Sequence, residues 1–141
     1  MNCKLLKTQP MPAYDSKVFD PPAPLARVSL RALHNGAIVT DVPMLIDSGA
    51  DVTLIPRTFI NGLRLELDQN ESYELASFDG HKSTAMSAQL DLVFQTRTFR
   101  GRFLLINSES GILGRNVLNH FALVLDGPGL SWEEQPPSSP Q

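Results

Sequence analysis

Asp47, Ser48 and Gly49 place a carboxylate, a hydroxyl and an unhindered stretch of backbone side by side in the chain. They stand between two apolar runs, Met44-Leu45-Ile46 before and Val52-Thr53-Leu54-Ile55 after, so the pattern predicts a strand, a tight loop and a second strand. A carboxylate at the tip of such a loop is partly withdrawn from water. Beside a second carboxylate it could share one proton, so that one group acts as base and the other as acid. Ser48 can donate to neighbouring backbone, and Gly49 lets other backbone or a substrate approach closely. Asp-Ser-Gly is also common turn chemistry, and the tripeptide alone identifies nothing.

The flanking sequence supplies the elements that must hold the loop. From Arg27 to Ile46, Val28, Leu30 and Ala32 alternate with Arg27, Ser29 and Arg31, and Asn35-Gly36 then turns the chain into a returning strand that ends at Asp47. Pro56 to Gly62 is a connection with room for a short helical turn, and Leu63, Leu65 and Leu67 alternate with Arg64, Glu66 and Asp68 as a further strand. Tyr73, Leu75 and Ser77 lead to a turn at Asp79-Gly80. Ala88, Leu90, Leu92 and Phe94 then alternate with Gln89, Asp91, Val93 and Gln95 as a half-buried strand, and Phe99 to Ile106 supplies the next. Helical spacing is confined to Arg115–Phe121, where Val117, Leu118 and Phe121 share a face. Ala122 to Leu125 is a last apolar strand, broken by Asp126-Gly127-Pro128-Gly129.

The chain has 141 residues, 42% of them hydrophobic, which suits one domain with one core. Pro10, Pro12, Pro21, Pro22 and Pro24 make residues 1–24 a proline-rich flexible arm, 25–132 form the domain, and the polar residues 133–141 form a disordered tail. A net charge of -3 with no polybasic face excludes nucleic acid as a partner, and Arg97, Arg100 and Arg102 read as one solvated strand. The single cysteine, Cys3, suits a reducing compartment. No run reaches the length of a membrane span and the N-terminus lacks a sustained apolar region, so the expectation is a cytoplasmic protein without a membrane partner. His34, His81 and His120 lack ligand spacing and read as surface histidines, with no metal.

A second element, Gly111-Ile112-Leu113-Gly114-Arg115-Asn116, gives the first its meaning. Together, Leu45 to Thr53 and Gly111 to Asn116 resemble the two signature segments of the retropepsins, the single-domain aspartic proteases typified by retroviral proteases, over a span from about Arg27 to Trp132. The resemblance implies an all-β, closed-barrel acid-protease fold with one short C-terminal helix. It implies catalytic roles for Asp47, Ser48 and Gly49, with Ser48 the less usual of the two hydroxyl residues accepted there. It places Ala50, Asp51, Phe78, Asp79, Gly80 and His81 against substrate, although Ser77 to Lys82 lacks the glycine-rich flap of the viral enzymes. Thr53, Ile112, Leu113, Gly114, Arg115 and Asn116 would support the loop from behind, with an Asp51–Arg115 ion pair and an Asn116–Thr53 hydrogen bond. If fully desolvated, such a pair would cost about 3–5 kcal/mol to break from one side.

The chain carries one Asp-Ser-Gly loop, and two carboxylates are needed to activate water and protonate the scissile carbonyl. The implied assembly is a symmetric homodimer with Asp47 from each copy at the axis, acting on a peptide or protein substrate without metal or cofactor. Two other functions fit the same residues: a non-catalytic dimeric module for peptide binding or assembly, and a latent zymogen blocked by its N-terminal arm and cut near Val18-Phe19.

Overall fold

The computed structural model describes residues 12–65, 68–76 and 82–136. Ten strands run in the order β1 (Ala13–Asp15), β2 (Ala23–Arg31), β3 (Ile38–Ile46), β4 (Leu54–Pro56), β5 (Asp68–Ala76), β6 (Lys82–Phe94), β7 (Arg97–Ile106), β8 (Gly111–Leu113), β9 (Leu123–Asp126) and β10 (Ser131–Glu134). They hydrogen-bond in the order β5-β6-β7-β4-β8-β3-β2-β1-β10-β9, and a further β6–β2 pairing joins the sheet to itself. Six strands, β6, β7, β4, β8, β3 and β2, thereby close a barrel. Closure gives these six strands neighbours on both sides, and it surrounds one continuous core.

That core follows from alternation. Ala88, Leu90, Leu92 and Phe94 of β6 are buried, as are Ala26, Val28 and Leu30 of β2. Val42 and Met44 of β3, Ile55 of β4 and Leu113 of β8 fill the space between them. The Asn35-Gly36 turn forms where the sequence predicts it: the Asn35 side chain accepts from the Ala37 N–H at 2.9 Å, and Gly36 takes a left-handed φ of 70°.

Four departures from the sequence pattern have physical causes. Leu63 does not start a strand. It ends a 3-10 helix over Arg57–Leu63, in which Ile60 and Leu63, three residues apart, are both buried. The left-handed Arg64 then stops that helix. The helix expected over Arg115–Phe121 is α-helical only over Arg115–Leu118 (α1), because His120 and Phe121 donate to carbonyls three residues back and tighten the chain into a turn. Residues 12–24, read from the sequence as part of an arm, contribute β1 and the start of β2, and β1 pairs with both β2 and β10. Glu133 and Glu134, read as tail, pair with Val124 and Leu123.

Two aromatic contacts tie the C-terminal hairpin to the barrel. Trp132 of β10 lies 5.9 Å from Phe94, centroid to centroid, and donates its indole N–H to the Leu25 carbonyl at 3.0 Å. Phe121, just past α1, meets Phe94 edge-on at 4.8 Å. No helix among the described residues is long and apolar enough to cross a membrane.

Candidate active site

β8 lies between two strands that flank the Asp-Ser-Gly loop. Leu45 and Ile46 of β3 run parallel to Ile112 and Leu113, and Leu54 of β4 pairs antiparallel with Ile112. The loop of residues 47–53 therefore leaves one neighbour of β8 and returns as the other. Its entry is pinned by the Asp47 N–H donating to the Leu113 carbonyl at 3.1 Å. Its middle is pinned by the Arg115 N–H donating to the Ala50 carbonyl at 2.9 Å. A turn bond from the Ala50 N–H to the Asp47 carbonyl, 3.1 Å, closes the tip.

Behind the tip, Thr53 is buried and uses its hydroxyl twice. It accepts from the Gly114 N–H at 3.0 Å and donates to Asn116 Oδ1 at 2.7 Å. A side chain on Gly114 would put its Cβ 2.3 Å from the Val52 carbonyl oxygen, so glycine is required for the two segments to touch. Arg115 reaches forward from α1, donating to the Ser48 carbonyl at 2.8 Å and pairing with the Asp51 carboxylate. Their side chains are 43% and 82% exposed, so in the single chain this is a solvated pair worth less than about 1 kcal/mol. The larger cost inferred from the sequence assumed a desolvation that one chain does not provide.

Asp47 is half-buried, while Ser48 and Gly49 are exposed. One carboxylate oxygen, Oδ1, accepts the Gly49 N–H at 3.0 Å, which fixes the side chain against its own loop. A Cβ at Gly49 would sit 3.2 Å from that same oxygen, so glycine keeps the carboxylate uncrowded. Among the described residues nothing bonds Oδ2. The second acid in the loop, Asp51, is already engaged by Arg115.

Of the residues singled out by sequence, Asp47, Ser48, Gly49, Ala50, Asp51, Thr53, Ile112, Leu113, Gly114, Arg115 and Asn116 converge on this one loop. Phe78, Asp79, Gly80 and His81 lie outside the described residues. The described histidines, His34 and His120, are both exposed, and no group of three or more metal-binding side chains occurs among the described residues.

One charged cluster escaped the sequence pattern. Asp91 sits on the outward phase of β6, opposite Arg31 of β2 and Arg100 of β7, yet is itself buried. Arg31 Nη2 and Arg100 Nε both reach it at 2.9 Å. The Arg100 hydrogen bond holds the Asp91 carboxyl below the usual carboxylate range, against the upward push of burial, with Arg31 adding to the depression. The cluster lies where β6 and β2 close the barrel.

The retroviral aspartyl protease family model matches residues 22–126, well over half of the chain. Among solved structures, the chain is similar to EIAV protease complexed with the inhibitor HBY-793, with 22% identity and a TM-score of 0.52 over 70% of this chain and 86% of that one. At that identity the likeness speaks for the fold. No curated protein matches the chain.

Proposed function

The chain belongs to the retroviral aspartyl protease family, and on that premise we propose that it is an aspartic endopeptidase active as a homodimer. The observation that carries the proposal is an accessible Asp47 with one free carboxylate oxygen on a loop braced from behind, beside a second acid already neutralised by Arg115. Water activation and carbonyl protonation need two carboxylates sharing a proton, and this loop offers only one. A second copy of the loop supplies the other.

In the paired site the ionised Asp47 takes a proton from water as the water oxygen attacks the scissile carbonyl carbon. The protonated Asp47 of the twin gives its proton to the carbonyl oxygen. As the resulting gem-diol collapses, the twin Asp47 takes back a proton from one hydroxyl, the C–N bond breaks, and the leaving nitrogen is protonated by the group that first acted as base. Ser48 from each chain would hold the two loops in register, and an extended peptide would lie across Gly49, Ala50 and Asp51 as an added strand. The chemistry runs on the paired acids and water alone.

Strand β1 bears on the zymogen alternative. Removing residues 1–24 would delete β1 and the first two residues of β2, and with them the link between β2 and β10. A removable pro-segment would have to end before Ala13. The test is peptide cleavage by purified wild type and Asp47→Ala across acidic to neutral pH, with mass measured in solution. Wild type is expected to be dimeric and to cut, and the variant to be dimeric and inert. Undiminished cleavage by Asp47→Ala would overturn the assignment, and a wild-type dimer that binds peptide without cutting it would favour the assembly module.

A further inference from the structure

The chain holds two Asn-Gly pairs, Asn35-Gly36 and Asn61-Gly62, and the fold treats them differently. In any such pair the glycine nitrogen can attack the asparagine carboxamide carbon, because glycine has no side chain to block the approach. At Asn35 the parts are set for that attack. His34, Asn35 and Gly36 are exposed and lie between β2 and β3, outside either strand. Gly36 has open space where a Cβ would stand, and among the described residues nothing bonds its N–H. The carboxamide oxygen of Asn35 already accepts the Ala37 N–H at 2.9 Å, a donor standing where negative charge develops once the carbon is attacked. Asn61 has the same following residue and none of this freedom. It lies inside the 3-10 helix over Arg57–Leu63, whose turns fix the dihedrals on both sides of the peptide nitrogen. A Cβ at Gly62 would come within 2.9 Å of Val39 Cγ2, so this glycine is packed against β3. Ring closure at Asn61 must first open the helix.

The Asn35 side chain also spans two elements. Its Nδ2 donates to the Leu63 carbonyl at 3.1 Å, tying the β2–β3 turn to the end of the 3-10 helix. We propose that Asn35 is a site of spontaneous deamidation, which releases this tie as the protein ages. The Gly36 nitrogen loses its proton to hydroxide and bonds to Cγ of Asn35, and Nδ2 leaves as ammonia with a proton from water. Water then opens the five-membered imide, at Cγ to give aspartate or at the backbone carbonyl to give isoaspartate. In sum one water is consumed and one ammonia released, with no change of oxidation state. Either product replaces the carboxamide with a carboxylate, so the buried Leu63 loses the donor to its carbonyl and meets a negative charge instead. The proposal is independent of the protease reading.

The test is peptide mapping by mass spectrometry of the full chain after incubation at neutral and mildly alkaline pH, with Asp47→Ala as the protein so that cleavage does not intervene. In the folded protein, conversion at Asn35 is expected to run at least about tenfold faster than at Asn61, where the helix must open first. In urea the two sites should convert at similar rates. Equal rates in the folded protein overturn the inference, and so does a preference for Asn35 that is as large in urea. The converted chain, separated on an anion-exchange column by its extra negative charge, is expected to melt below the fresh chain. Asn35→Asp, made directly, should show the same lowered melting temperature. If the converted chain and Asn35→Asp both melt with the unmodified protein, the bond to Leu63 carries no weight and the ageing role falls.

Discussion

Two aspartates, Asp47 and Asp91, lie at opposite extremes of what a folded protein does with a carboxylate. Asp91 is buried and saturated: Arg31 and Arg100 together make four hydrogen bonds to its two oxygens. Asp47 is half-buried and receives one bond, from the Gly49 N–H of its own loop. A carboxylate surrounded by guanidinium groups stays ionised and does mechanical work, here at the seam where the barrel closes. A carboxylate left with an open oxygen on a rigid loop is free to exchange a proton. The chain's polar bonds around the loop, from Thr53, Asn116 and Arg115, hold backbone in place and leave that oxygen alone.

Substitutions should separate the two roles, beginning with the largest effect. Asp47→Asn is expected to lower peptide cleavage by about 10³-fold or more with an unchanged melting temperature, measured by steady-state kinetics and calorimetry on one preparation. Asp91→Asn should do the reverse, costing about 2 kcal/mol of stability in urea unfolding while molecules that remain folded keep cutting. An Asp91→Asn protein as stable as wild type would remove the contrast. Thr53→Val leaves the Gly114 N–H without its acceptor and should cost about 1.5 kcal/mol, with a loss of activity that Thr53→Ser largely restores. The smallest effect is in acid. Asp91 has a folded-state value below its ordinary 3.8, so its contribution is fully present above that pH. It is lost progressively as pH falls from there through the depressed value. Acid unfolding of wild type should show a component that Asp91→Asn lacks, and coincident acid profiles would contradict this.

The loop was legible in the sequence because its chemistry is local. Asp47-Ser48-Gly49 and Gly111 to Asn116 are short segments whose residue types suffice to suggest a tight turn and a close-packed brace. The Asn35-Gly36 hairpin and the alternation of β6 were readable for the same reason. Asp91 was not, since its arginines come from other strands and an acid on the outward phase of a strand ordinarily meets water. Leu63 and Leu65 misled because a period of two also fits the buried end of a 3-10 helix followed by the left-handed Arg64, and Leu67 lies outside the described residues. β1 was hidden by the prolines on either side of it, which mark the neighbouring segments as irregular and say nothing about a three-residue strand whose partners lie at Leu25 and Ser131.

Trp132 donates to the Leu25 carbonyl across 107 positions of sequence, and Ala13 pairs with Ser131. On a ribosome, β1 must therefore wait for β10 to be translated before that pairing can form. Contacts of such long separation slow folding. Until Trp132 emerges, the Leu25 carbonyl lacks its indole donor and Phe94 a ring it packs against, and a nascent or prematurely terminated polypeptide is left with part of its core uncovered.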